Sequence, residues 1–235
     1  MNEDWRGFNN TNVVALREII NTTAQSCGTT IVEDLKNGIV TPISTAWYAP
    51  EAVEYFEAFK TAVAECGQSI TDVFENFKNN VKSAGEYWGE NTKSTDSVDM
   101  AAIDLVELTL DISAIQQKDP SGNIYLDMAQ TNTVIGKLSD VKKGIETNLG
   151  ALAEAMKSDT AFIGGGQAAS IDSCFVEVTK SVHKIFDFLT EGEESLSSQL
   201  TSFVNKYSEM AEKVTTGFNS TAVDGEGYRA TGEVQ

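Results

Sequence analysis

The stretch from Glu51 to Trp88 constrains the chain more than any other. Its apolar side chains Phe56, Phe59, Val63, Cys66, Ile70, Val73 and Phe77 recur at alternating spacings of three and four, the signature of a helix with one continuous buried face. The stripe then moves to Phe74, Val81, Ala84 and Trp88, a four-residue slip that unwinds a helix contact locally without breaking the helix. At ~1.5 Å per residue the helix is roughly 57 Å long. A short turn before so long a helix returns the chain antiparallel to what precedes it, giving a helical hairpin.

The preceding arm is Asn12 to Val40, where Val13, Leu16, Ile20, Cys27, Ile31, Leu35 and Ile39 share one helical face. Gly28, Thr29 and Thr30 weaken its middle. Pro42 is expected to end it, because the residue before a proline is driven out of helical geometry. Pro50 and Glu51 read as the first turn of the return helix.

Gly89 to Ser97 is polar and punctuated, a linker between two halves. Beyond it, Val98, Ala101, Leu105, Leu108, Ile112 and Ile115 fit a connecting helix. In the same stretch Val106, Leu108, Leu110 and Ile112 alternate as a strand would, which leaves open a β-hairpin through Asp119–Gly122 to Ile124–Leu126. Helical spacing returns from Val134 to Met156, the run Ala161–Gly166 forms a second turn, and a long amphipathic segment from Ile171 to Val214 follows. Thr190 and Glu193 have capping-box spacing beside a bend at Gly192. The expectation is an all-α fold of two long antiparallel helical hairpins in tandem, joined by a short linker and a connecting helix and packed as a pseudo-dimeric bundle. The boundaries are a flexible N-terminus over 1–11, a first hairpin over 12–90, a linker and connecting segment over 91–122, a second hairpin over 123–218, and a disordered tail over 219–235. Only three prolines in 235 residues agree with long unbroken helices.

The formal charge of −18 repels nucleic acid and anionic lipid, and the three arginines, Arg6, Arg17 and Arg229, form no basic cluster. No apolar run reaches the ~20 residues that cross a bilayer, and the polar start has no signal-peptide pattern. The expectations are cytoplasmic synthesis, no membrane span and, if the protein leaves the cell, a route without a cleaved signal. A single histidine, His183, excludes multi-histidine metal sites. Asp119, Ser121, Asn123, Tyr125 and Asp127 superficially resemble a calcium loop, but Gln130 stands where the closing glutamate belongs. Gly164–Gly166 lacks the Lys-Ser/Thr of a phosphate loop. No cofactor, metal or catalytic constellation stands out, so the chain reads as a non-enzyme.

Cys27 and Cys66 lie 20 residues before and 19 after Trp47. A hairpin closing near Trp47 places them at similar heights, as candidate contacting thiols that bridge only if their Cα atoms come within ~7 Å. Phe56, Phe59, Phe74, Phe77, Tyr87 and Trp88 read mostly as core, and form a candidate interface where any of them stays exposed to a partner helix.

The halves also correspond. Ser44-Thr45-Ala46-Trp47 matches Asp159-Thr160-Ala161-Phe162 at an offset of 115 residues, which points to duplication of one hairpin. A hairpin whose turn carries a tryptophan, followed by a long helix, resembles the WXG-motif family of small acidic helix-turn-helix proteins associated with type VII secretion. The turn motif is carried by Trp47 with Ala49 in place of glycine, and by Phe162 in place of tryptophan with Gly164. The family's export signal, a tyrosine followed four residues later by Asp or Glu, has no match: Tyr87, Tyr207 and Tyr228 meet Asn91, Ala211 and Gly232. The resemblance implies a secreted or secretion-associated interaction protein that binds a protein partner or itself through helix faces. Similar hairpins in phage and prophage structural proteins make a virion component the alternative.

Overall fold

The computed structural model describes residues 7–95, 97–157, 162–163, 176–178, 180 and 195–224. β1 (Gly7–Phe8) leads into α1 (Asn10–Leu35). Asn9 Oδ1 accepts a hydrogen bond from Asn12 N at 3.1 Å, satisfying one of the amides that a helix start leaves unpaired. The N-terminal stretch expected to be flexible is therefore part of the fold from Gly7 onward.

The helix does not stop short of Pro42. It widens into a π-helical turn (Lys36–Val40) and closes with one more turn, α2 (Thr41–Ile43). A proline ring crowds the carbonyl four residues back; the π turn, in which Thr41 N donates to Lys36 O, places Pro42 at the start of a fresh turn where that conflict is relieved. β2 (Trp47–Tyr48) forms the hairpin tip. Pro50 then opens α3 (Pro50–Thr92), 43 residues long and so roughly 65 Å. Lys93 ends it at φ 57°, in the left-handed region.

The slip in the α3 stripe comes earlier than the spacing predicts. Phe74 and Gly85 are buried, while Val73 is half-buried and Ala84 exposed, so the face turns at Ile70 rather than after Phe77. The cause is what lies against it.

Residues 98–115 are neither a connecting helix nor one arm of a β-hairpin. They run along the groove between α1 and α3 as an irregular, extended strap. Val98, Met100, Ile103, Val106, Leu108, Leu110, Ile112 and Ile115 are buried, whereas Leu105, on the predicted helical face, is 52% exposed. The strap's course sets its conformation: Ser97 lies beside Asn10 and Val106 beside Gly28, so nine strap residues match eighteen of α1. Only an extended chain, rising ~3.3 Å per residue against ~1.5 Å for a helix, keeps pace with half as many residues.

After the strap come β3 (Tyr125–Leu126), α4 (Met128–Lys157), β4 (Phe162–Ile163) and α5 (Leu196–Asp224). Asp127 caps α4 by accepting from Gln130 N at 3.0 Å, and Ser195 Oγ accepts from Ser198 N at 3.2 Å at the start of α5. α4 runs antiparallel to α1, with Gln130 bonded to Pro42 O and Gly144 against Thr30 and Asp34. Two antiparallel strand pairs tie the chain together. β1 pairs with β4 in the register Gly7↔Ile163 and Phe8↔Phe162, and β2 pairs with β3 as Trp47↔Leu126 and Tyr48↔Tyr125. The two positions related by the 115-residue offset, Trp47 and Phe162, thus both lie in two-residue strands that follow a long helix.

The described residues are mostly helical, an all-α fold in its main elements. α5 continues to Asp224, past the predicted end of the second hairpin at 218. Gly164, Cys174, His183, the Thr190/Glu193 capping box, the bend at Gly192 and the tail over 225–235 lie outside the described residues.

Candidate interaction site

Two polar rows clasp the strap. On α1, Arg17, Asn21 and Gln25 are spaced by four and therefore line one face, about 6 Å apart. Two strap residues advance ~6.6 Å, so each successive row position meets roughly the next strap pair. Arg17 donates to Ala102 O and pairs with Asp104 Oδ1 at 3.1 Å. Asn21 both accepts from Asp104 N and donates to Asp104 Oδ2 at 2.9 Å, and Gln25 Nε2 donates to Asp104 O at 2.9 Å. On α3 the row is Gly67, Thr71 and Glu75. Thr71 Oγ1 accepts from Val106 N at 2.8 Å, and Glu75 Oε2 accepts from Ile103 N at 2.7 Å.

Glycine makes room at Gly67, where helix backbone meets strap backbone, and at Gly28, where a strap side chain presses on the helix. A Cβ on Gly67 would stand 2.2 Å from the Val106 carbonyl oxygen, and one on Gly28 would stand 2.5 Å from Val106 Cγ1. Both helices therefore close on Val106 from opposite sides. Below the strap, Lys78 is buried and its Nζ donates to Glu75 Oε1 at 2.6 Å. Partial burial pushes the Glu75 carboxyl up, but the hydrogen bonds from Lys78, the Ile103 amide and Asn79, with the Lys78 charge, outweigh it and hold Glu75 below the usual glutamate range. Chemically, this groove holds the backbone of an extended chain and takes up its alternate aliphatic side chains.

The second feature is the hairpin tip. Trp47 is fully buried, its ring 4.7 Å from Phe203 of α5 and 5.9 Å from Tyr55. Tyr55 Oη donates to Leu196 O at 3.3 Å, and Lys206 reaches Glu51 at 3.4 Å. Ala49 is buried beside the tip. On the outer side, the Tyr48 and Tyr125 rings lie 5.3 Å apart, and Ile124, Tyr125 and Met128 are exposed. Asp119 spends its carboxylate on its own loop, accepting from Ser121 N and Asn123 N at 2.8 and 2.7 Å.

Of the aromatic candidates, Phe56, Phe59, Phe74 and Phe77 are core, Tyr87 is exposed, and Trp88 is half-buried with its ring 6.3 Å from Phe8. Cys27 and Cys66 are both buried and not disulfide-bonded. Burial pushes the Cys27 thiol up to about 12, and burial with the nearby Glu65 charge pushes Cys66 up to about 11. Phe162 lies in β4.

Sequence reading passed over Arg17, Asn21, Gln25, Gly67, Thr71 and Glu75. Their signal was present as polar and glycine positions at i, i+4 and i+8 beside the apolar stripes, but periodicity assigns such positions to solvent. Among the described residues no His, Cys, Asp and Glu side chains gather as a metal site, and no helix is long and apolar enough to cross a membrane. No family model, curated protein or solved structure matches the chain.

Proposed function

We propose that this chain is a non-enzymatic helical interaction protein of the WXG type, associated with secretion, in which a single polypeptide carries two tandem hairpins packed as a pseudo-dimer. The observation that carries the reading is the reciprocity of the strand pairs. The strand before the first helix of each half pairs with the strand after the first helix of the other, β1 with β4 and β3 with β2. That is the pattern of an isologous two-fold interface, here drawn within one chain. The buried Trp47 supports the same reading, since a large aromatic fills the end of the hairpin and sets the crossing of its helices. Such a chain needs no second copy to complete its bundle, and the apolar tip of Tyr48, Ile124, Tyr125 and Met128 is left to engage a protein partner. The test is release into the medium from a bacterium with type VII secretion, with and without the secretion ATPase. Release that depends on the ATPase supports the reading; equal retention in both strains overturns it.

A virion or particle subunit is the second reading, favoured by α5. Leu196, Leu200 and Phe203 face the body, and the same three-four spacing continues through Tyr207 to Met210 and Val214, which are 44% and 50% exposed. A stripe that outlasts its buried contacts suits a helix that packs on repeated neighbours. Light scattering separates the two: a discrete particle fits the secretion reading and open-ended growth fits the structural one.

A further inference from the structure

We propose that the two halves of this protein exchange between copies, the strap, α4 and α5 of one molecule docking on the α1–α3 hairpin of a second and the reverse, through a hinge at Lys93. The proposal rests on the reading of the halves as complementary units and goes beyond it by making a second copy the partner.

The first support is the distribution of the contacts. The strap anchors, both strand pairs, the packing of α4 on α1, and the contacts Trp47–Phe203, Tyr55–Leu196 and Glu51–Lys206 each join a residue before Lys93 to one after it. Only the short peptide between Lys93 and Ser97 connects the two sides covalently. Every one of these contacts is chemically the same whether its partner lies in the same chain or in another, so local concentration and the conformation of the connecting peptide decide between them.

The second support is the hinge. Among the described residues Lys93 is the one non-glycine residue at positive φ, where L residues other than Gly, Asn and Asp are disfavoured. Its left-handed turn directs the strap back into the groove of its own hairpin. A helical Lys93 instead prolongs α3 and carries the strap away, leaving the groove open to the strap of another copy.

The third support is the way the strap is held. Helix side chains grip its backbone at Ala102, Ile103, Asp104 and Val106, so the groove accepts any chain that presents the same backbone and aliphatic alternation. A second copy supplies both without alteration.

The test uses two full-length chains in which Cys27, Cys66 and Cys174 are replaced by alanine, one carrying Glu51→Cys and the other Lys206→Cys, at an exposed contact that joins the two halves. They are unfolded together in urea, refolded over a range of concentrations and treated with a short bis-thiol cross-linker. A covalent heterodimer is expected, its yield rising with concentration, decreased roughly fivefold by Lys93→Gly, which adopts the left-handed turn without the Cβ clash, and increased by Lys93→Val, whose branched side chain adopts it least readily. A chain carrying both new cysteines must cross-link within itself at low concentration; if it does not, the pseudo-dimer reading itself fails. With that closure seen, absence of heterodimer at every concentration, including with Lys93→Val, overturns the exchange. Equal yields for Lys93→Val and Lys93→Gly overturn it as well. Light scattering on chains that keep their native cysteines gives an independent reading, and monomer mass for both hinge variants at all concentrations refutes the proposal.

Discussion

Asn21 and Asp104 exchange two hydrogen bonds of 2.9 Å across the groove, the asparagine amide serving the aspartate's backbone N–H and its carboxylate together. Asn21 is 7% exposed, so its loss leaves the Asp104 amide without a partner. Asn21→Ala is expected to lower stability by about 2 kcal/mol and Asp104→Ala by about 1 kcal/mol, since the latter keeps the backbone bond. Asp104 also pairs with Arg17, but that ion pair is largely exposed on the aspartate side and adds little. Urea denaturation of both variants checks the order; equal losses contradict it.

Three glycines of α3 and α4 separate packing from propensity. Gly67 is pressed against the Val106 carbonyl, whereas Gly89 and Gly136 have open space where a Cβ would stand. Gly89→Ala and Gly136→Ala are expected to stabilise by about 0.5–1 kcal/mol through helix propensity. Gly67→Ala gains the same propensity yet forces backbone apart, and a net loss of about 1–3 kcal/mol follows. Thermal melts of the three variants give the signs directly.

Acid acts on the strap through Glu75. Its folded-state carboxyl lies below the ordinary value, so its contribution is complete above the unfolded pKa of about 4.3 and is lost as pH falls through the lower folded value. Glu75→Gln removes that part of the acid dependence and strips the buried Lys78 of its counter-charge, at a cost of about 2 kcal/mol near neutral pH. Stability measured from neutral pH down to about pH 3 should show a shallower acid slope for Glu75→Gln than for the parent protein. Parallel slopes refute the assignment.

Trp47→Ala empties the space between Tyr55 and Phe203 and should cost about 3–5 kcal/mol. Trp47→Phe should cost much less than that, because among the described residues the buried indole N–H has no hydrogen-bond partner that phenylalanine forfeits. A Trp47→Phe penalty as large as that of Trp47→Ala argues against packing as the role of this ring.

Cys27 and Cys66 should resist thiol reagents at pH 8 in the folded protein and react after unfolding, since burial raises both thiols far above that pH. Prompt labelling of either residue in native buffer contradicts their placement in the core.

The helices were legible where apolar side chains recur over many turns: Phe56 to Phe77 announces α3, and Val13 to Ile39 announces α1. The strap was legible only as an ambiguity. Val106, Leu108, Leu110 and Ile112 alternate as the structure requires, yet Leu105 and Ala101 complete an equally regular helical register, and both proved exposed. Its anchors are Asn21 and Thr71, 83 and 35 residues from their strap partners, a separation no local pattern reports. Pro42 misled for a related reason. The rule that proline ends a helix assumes regular turns before it, and the π turn at Lys36–Val40 supplies an irregular one.

The two-to-one match between helix and strap also governs how such a chain can change length. Adding one turn to α1 or α3 along the groove moves every later anchor by ~5.4 Å, which a strap of fixed length cannot follow. Two residues gained in the strap restore the alignment and keep each aliphatic side chain on its original side; a single residue turns them all over. Insertions and deletions in this molecule are thus coupled in whole helical turns and strap pairs, so that lengthening the hairpin and lengthening the segment it grips are one event rather than two.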